Sequence, residues 1–280
     1  MNNATIALAL VLSAASLSPA GAGQQGAPQG PPAAAAQQAP PPAPPLPSCP
    51  ELAQALTNVV RNDARLRDWP AIGRYREANL ALPKPKAGEA RVVFLGDSIT
   101  DAWQQPRFGQ MFQGDHPYVD RGISGQTTAQ MLVRFRPDVI DLAPTAVLIL
   151  AGTNDIAGNS GPMTDEQIEG NLASMSELAR AHGIRVILAS ILPVSAYHVA
   201  AGGVPQTSQR PMARIKAINE WMRKFARDNG HVYLDYFVAM VDATGVLREE
   251  LSQDDLHPNL KGYEIMRPLA EAAIAAALKK

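Results

Sequence analysis

Five short aliphatic runs, at 91–95, 118–120, 146–150, 185–190 and 231–235, are each followed by Gly, Ser or Asn and then by a helix-like stretch. The runs holding Leu150 and Leu188 are almost continuously apolar, as strands covered on both faces are. Between them, residues 164–182 and 208–229 repeat apolar side chains at helical spacing. Ile168, Leu172, Met175 and Leu178 form one stripe, and Ile215, Ile218, Met222 and Phe225 the other. Strand and helix in alternation specify a parallel sheet with helices on both faces, because parallel neighbours need a crossover and that crossover is right-handed. Ligands bind such sheets beyond the carboxyl ends of the strands. Chemistry is therefore expected in the segments that follow the aliphatic runs. Residues 51–82 precede the first strand and predict a helix in two pieces, split at Pro70, packed as an outer layer.

The first fifth of the chain is different material. Residues 1–50 contain no Lys, Arg, Asp or Glu, so all 25 basic and 26 acidic residues lie beyond them. Residues 6–17 form an apolar run too short to cross a bilayer, followed by the small-x-small pattern Ala20-Gly21-Ala22. This predicts a secretion signal over 1–22, a secreted or periplasmic protein and no stable membrane insertion, although Met1-Asn2-Asn3 lacks the usual basic residue. Residues 23–49 are rich in Ala, Gln, Gly and Pro, and eleven of the 24 prolines fall between Pro19 and Pro50. Such a stretch buries too little to offset its ordering entropy and reads as a semi-extended tether. The folded domain is expected over 50–280. Gly21 to Gly26 matches the dinucleotide pattern G-x-G-x-x-G, but without a preceding strand or a following helix the match carries no meaning. Cys49 is the single cysteine, so no intramolecular disulfide forms. The net charge of -1 gives no footprint for nucleic acid, and nothing in the sequence specifies an oligomeric state.

After the first run, Gly96 turns the backbone sharply and exposes Ser98 at the amino end of the next helix, a seat for a nucleophile or, more plainly, for a helix cap by Asp97 or Ser98. A serine hydroxyl there still needs a base. After the second run, Gly122-Ile123-Ser124-Gly125 lets backbone approach a ligand closely, with the Gly125 N–H a candidate donor. After the third, Asn154 in Gly152-Thr153-Asn154-Asp155 offers an amide donor; both segments also serve as ordinary turns. Near the carboxyl end, Asp254-Asp255-Leu256-His257 places an acid three residues before a histidine, where it can fix the tautomer and support the imidazolium. The other histidines, His116, His182, His198 and His231, lack such a neighbour and read as surface or structural. The loop 193–206, carrying Tyr197 and His198, follows the fourth strand and is a candidate acyl-pocket wall or lid. Trp103 reads as core. Asp97, Asp101 and Asp155 show no metal-ligand spacing, and neither metal nor cofactor is expected.

Each motif alone is weak; their order along one sheet is specific. Over residues 90–275 the sequence resembles the SGNH hydrolases, also called the GDSL esterase and lipase family. The name-giving residues map onto Ser98, Gly125, Asn154 and His257, with Ile99 where the family name has Leu. The resemblance implies a flavodoxin-like three-layer α/β/α sandwich, its five-stranded parallel sheet in the order 2-1-3-4-5. It implies catalysis by Ser98, His257 and Asp254, with Asp255 as the alternative acid, and an oxyanion hole of Ser98, Gly125 and Asn154. The implied substrate is a small ester, short-chain or acetyl and including esters of carbohydrates. Lysophospholipase or thioesterase activity, or a glycan- or lipid-binding module without turnover, are the alternatives.

Overall fold

The computed structural model describes residues 48–109, 111–113 and 117–279. The segments expected to be a signal and, but for its last two residues, a tether lie outside them, as does His116. Helix α1 (Cys49–Arg67) is followed by a 3-10 turn (Ile72–Tyr75) and α2 (Arg76–Ala81). Then come β1 (Val92–Gly96), α3 (Ser98–Trp103), β2 (Tyr118–Gly122), α4 (Thr128–Asp138), β3 (Ala146–Leu150), α5 (Thr153–Ile156) and α6 (Asp165–Ala181). The remainder is β4 (Arg185–Ala189), α7 (Gln206–Gln209), α8 (Met212–Asp228), β5 (Val232–Leu234), α9 (Tyr236–Met240) and α10 (Leu260–Lys279). The five strands form one parallel sheet in the order β2-β1-β3-β4-β5, as the resemblance implies.

Side chains of successive strand residues point to opposite faces, and both faces are covered. Val93, Leu95, Val147, Ile149 and Leu188 pack with Met131, Phe135, Ile168, Leu172 and Ile215 from α4, α6 and α8. Val92, Phe94, Leu148 and Ile187 pack on the other face with Trp103, Tyr263 and Met266 from α3 and α10. Trp103 is thus core, stacked on Tyr263 with ring centroids 5.2 Å apart. The register aligns the strand ends: Gly96 lies opposite both Gly122 and Leu150, and Leu150 opposite Ala189. The segments that leave these four strands therefore emerge side by side at one edge.

Three sequence expectations differ from what is observed. Leu178 is exposed, and Ala179 takes its place on the buried stripe of α6. At 3.6 residues per turn, Leu178 sits about 280° around the helix from Ile168, whereas Ala179 returns to about 20°. The helix expected over 208–229 is two helices, because a residue before proline is disfavoured in the α conformation. Arg210, before Pro211, adopts φ -127° and separates α7 from α8. In the outer layer the second piece docks, with the buried Tyr75 donating its hydroxyl to the Gly122 carbonyl at 2.5 Å. The first piece, α1, instead leaves Leu52, Leu56, Val59 and Val60 exposed.

Asp120, on the edge strand β2, is buried with Oδ1 accepting from the Gly122 N–H at 2.6 Å and Oδ2 without a partner. Burial pushes its carboxyl up to about 7, outweighing the Gly122 hydrogen bond. A folded-state pKa above the unfolded value means that this stability contribution is full below about pH 4 and is lost as pH rises through about 7. The stability of the wild type relative to Asp120→Asn is therefore expected to fall between pH 4 and 8, by on the order of a few kcal/mol. Urea unfolding at pH 5 and pH 8 measures this; a difference that does not change with pH would refute it.

Candidate active site

The turn after β1 is closed by Asp97, whose carboxylate caps α3 by accepting from the Ile99 N–H at 3.0 Å. Burial pushes the Asp97 carboxyl up to about 6 against that hydrogen bond. Ser98 is the first residue of the helix. Its Oγ lies 2.9 Å from Nε2 of His257, a residue 159 positions away. The segment bearing His257 is folded back by an isolated antiparallel bridge between Ser252 and Pro258. It is anchored beneath by the Tyr263 hydroxyl, which donates to the Ile99 carbonyl at 2.7 Å.

His257 Nδ1 is 2.6 Å from Asp254 Oδ2, while Asp254 Oδ1 accepts from the backbone N–H groups of His257 at 2.8 Å and Leu256 at 3.1 Å. Partial burial pushes the Asp254 carboxyl up, but the hydrogen bonds from His257 more than offset it and hold the group well below the usual carboxylate range. A carboxylate has no proton to give, so Nδ1–H is the donor and Nε2 faces Ser98 with its lone pair. Asp255 makes no such contact. It sits at φ +67° and its side chain reaches Ser195, Tyr197 and His198 instead.

The second block packs against α3 so tightly that a Cβ on Gly122 would come within 2.2 Å of the Asp101 nitrogen. Gly125, at φ +81°, turns the loop toward the third block, and its carbonyl accepts from Asn159 Nδ2 at 3.3 Å. Asn154 is buried, donating to the Gln126 carbonyl at 3.0 Å and accepting from Asn159 Nδ2 at 2.9 Å. Asp97, Asp101 and Asp155 each hold protein partners. Asp97 caps α3, Asp101 accepts from the Ser124 hydroxyl at 2.7 Å, and Asp155 accepts from the Thr128 N–H at 3.0 Å. Among the described residues no group of three or more His, Cys, Asp or Glu is placed to hold a metal ion.

An open cavity of about 1110 Å³ adjoins this array, with Phe108, His198, Glu249, Gln253, Asp254 and His257 among its lining. Another, of about 580 Å³, is lined in part by Trp69, Ser124, Gly125 and Asn159. Of the two loop residues singled out from sequence, His198 lines the larger cavity, whereas the Tyr197 hydroxyl donates to Asp242 at 2.6 Å and its ring is not part of that wall.

Sequence reasoning missed two buried arginines beside the site. Arg210, released by the break before Pro211, donates from Nε to Thr153 Oγ1 at 3.0 Å, next to Asn154. Arg134 donates to the Gly96 carbonyl at 3.0 Å, to Asp138 Oδ2 at 3.0 Å and to the Gln126 side chain. It thereby ties the turn bearing Ser98 to the loop that holds Asn154. The residue before a proline, and an arginine between the apolar Val133 and Phe135 of a helix, are the patterns that could have flagged them.

Comparison with known proteins bears on the family and the fold. Residues 94–265 match the family model described as the GDSL-like lipase/acylhydrolase family. Esterase TesA of Pseudomonas aeruginosa is 40% identical over 124 residues, which are 40% of this chain and 59% of TesA. The uncharacterized lipoprotein YqeF of Bacillus subtilis is 34% identical over 122 residues, 38% of this chain and 50% of YqeF. The chain thus spans about half the length of these curated relatives. A crystal structure of a GDSL-like lipase from Bacteroides thetaiotaomicron superposes with a TM-score of 0.67 at 38% identity, covering 74% of this chain and 98% of that one. Fold, sheet order and a family match over more than half the sequence agree, and the chain belongs to the GDSL-like lipase/acylhydrolase family.

Proposed function

We propose that the protein is a serine esterase that hydrolyses carboxylic esters with short acyl groups, acetyl esters included, through an acyl-enzyme. The observation that carries this reading is the relay Ser98 Oγ, His257 Nε2, His257 Nδ1, Asp254 Oδ2, with successive distances of 2.9 and 2.6 Å. Ser98 Oγ attacks the ester carbonyl carbon as its proton passes to His257 Nε2, and the Asp254 carboxylate stabilises the resulting imidazolium. The N–H groups of Ser98 and Gly125 and the Asn154 amide receive the developing oxyanion. Collapse of the tetrahedral species expels the alcohol, which takes the proton from Nε2. Water, deprotonated by the same nitrogen, then releases the acid. Kinship with a protein named as a lipoprotein, together with the apolar run at 6–17, supports an exported setting.

An alkyl fluorophosphonate tests the reading: Ser98 Oγ displaces fluoride at phosphorus, and peptide mass spectrometry is expected to find the adduct on the peptide containing Ser98. Labelling elsewhere, or no labelling together with no hydrolysis of p-nitrophenyl acetate, would overturn it. Replacing a buried triad carboxylate by its amide costs about 10⁴-fold in kcat. The Asp254 side chain is 53% exposed, so water shares its task. Asp254→Asn is therefore expected to lower kcat by about 10²- to 10³-fold with little change in KM. Asp255→Asn measured beside it is expected to leave the acyl-transfer step far less affected.

A further inference from the structure

Two consecutive acids near the carboxyl end serve two different histidines. Asp254 holds His257, and Asp255 holds His198, Nδ1 to Oδ1 at 3.1 Å. The second pair is built with care. Asp255 is 2% exposed and occupies the left-handed region at φ +67°, a conformation that costs a side chain energy unless its contacts hold it. The contacts are present: its carboxylate accepts from the Ser195 hydroxyl at 2.7 Å, the Tyr197 N–H at 3.0 Å and the His198 N–H at 2.8 Å, besides the His198 ring. Its own carbonyl accepts from the Ser195 N–H at 3.0 Å. The loop after β4 is thus stapled to the segment carrying His257, and one imidazole is fixed at the junction.

The tautomer of that imidazole follows. Partial desolvation raises the Asp255 carboxyl, but the Ser195 and His198 hydrogen bonds outweigh it, so the group is a carboxylate and can only accept. His198 therefore donates from Nδ1, and in the neutral ring Nε2 is an acceptor with no hydrogen bond among the described residues. The ring is a third exposed and lines the cavity that His257 also lines. Phe108 gives that cavity an apolar surface, with Glu249 and Gln253 as polar neighbours. We propose that His198, positioned by Asp255, is a second imidazole of the site, whose Nε2 accepts a hydrogen bond from a hydroxyl on the alcohol portion of the ester. It thereby favours esters whose alcohol portion carries a free hydroxyl. This rests on the esterase reading above; Asp255 acts only through His198 and is a positioning residue.

The test compares 2-hydroxyethyl acetate with propyl acetate, which share the acyl group and differ by a hydroxyl in place of a methyl, each followed by acid release in a pH-stat. The wild type is expected to favour the hydroxylated ester in kcat/KM by about 3- to 10-fold, the worth of one neutral hydrogen bond. His198→Ala is expected to erase that preference through KM rather than kcat, because the contact exists before and during reaction. His198→Gln, which keeps an acceptor, is expected to restore part of it. Asp255→Gly keeps positive φ free of strain but removes the carboxylate, so it is expected to weaken the preference at some cost in stability, which the thermal midpoint records. An unaltered ratio in His198→Ala, or no preference in the wild type while both esters are hydrolysed, overturns the proposal and leaves the esterase reading standing. Failure of the wild type to exceed Ser98→Ala on either ester removes both.

Discussion

Ser98→Ala is expected to reduce p-nitrophenyl acetate hydrolysis by at least about 10⁴-fold, to the level of stray catalysis by the remaining donors. The size follows from the geometry. In the proposed mechanism Oγ is the atom that bonds to the acyl carbon; removing it also leaves His257 Nε2 without its 2.9 Å partner, and no other described contact substitutes for it. Folding should be untouched, because the capping hydrogen bond of α3 belongs to Asp97 rather than to Ser98. Circular dichroism and the thermal midpoint of the variant serve as controls. A variant that turns over at the wild-type rate would place the nucleophile elsewhere.

Arg134→Ala is the second large effect, and it is one of stability. Arg134 and Asp138 are both fully buried and 3.0 Å apart, one helical turn from each other on α4. Deleting one partner of such a pair strands the other charge in the interior and costs about 3 to 5 kcal/mol. By contrast, the exposed pair Lys224–Asp228 has the same spacing, and its loss should cost under about 1 kcal/mol. Urea denaturation of Arg134→Ala and Lys224→Ala measures the contrast, and equal losses would refute it. The double replacement Arg134→Met with Asp138→Leu is expected to recover part of the stability, since it removes both charges. Arg134 also holds the Gly96 carbonyl and the Gln126 side chain, and the Gln126 carbonyl accepts from Asn154. The fraction of Arg134→Ala that folds should therefore also turn over more slowly.

Much of the fold was legible because its signals are local. All five aliphatic runs became strands within a residue or two of their expected ends, and Gly96, Gly122 and Gly152 end or follow strands at the edge where chemistry was sought. The errors were local conflicts. The α8 stripe hid a break because a helical hydrophobic pattern does not register the steric effect of Pro211 on Arg210. Leu178 is misassigned because apolar character is followed one residue short of the helical period, which Ala179 completes. At the site, the spacing to His257 favours Asp254 and leaves Asp255 as runner-up, because nothing in the sequence signals the positive φ that sends Asp255 elsewhere. His198 reads as surface or structural by its neighbours and as a pocket candidate by its loop; the acid that positions it stands 57 residues later, beyond any local signal.

What the sequence determined by itself is what a few neighbouring residues enforce: where strands end, where glycine permits a turn, and that an acid three positions before His257 can reach its ring. What only the tertiary structure decided is which remote segments meet. The parallel register brings Gly96, Gly122 and Leu150 level, the closure of α10 carries His257 to Ser98, and the left-handed twist at Asp255 sends that carboxylate to the loop after β4. The reason is physical: turn and periodicity preferences act over one or two turns of chain, whereas contacts across 50 to 160 residues exist only once burial of both sheet faces has fixed the register.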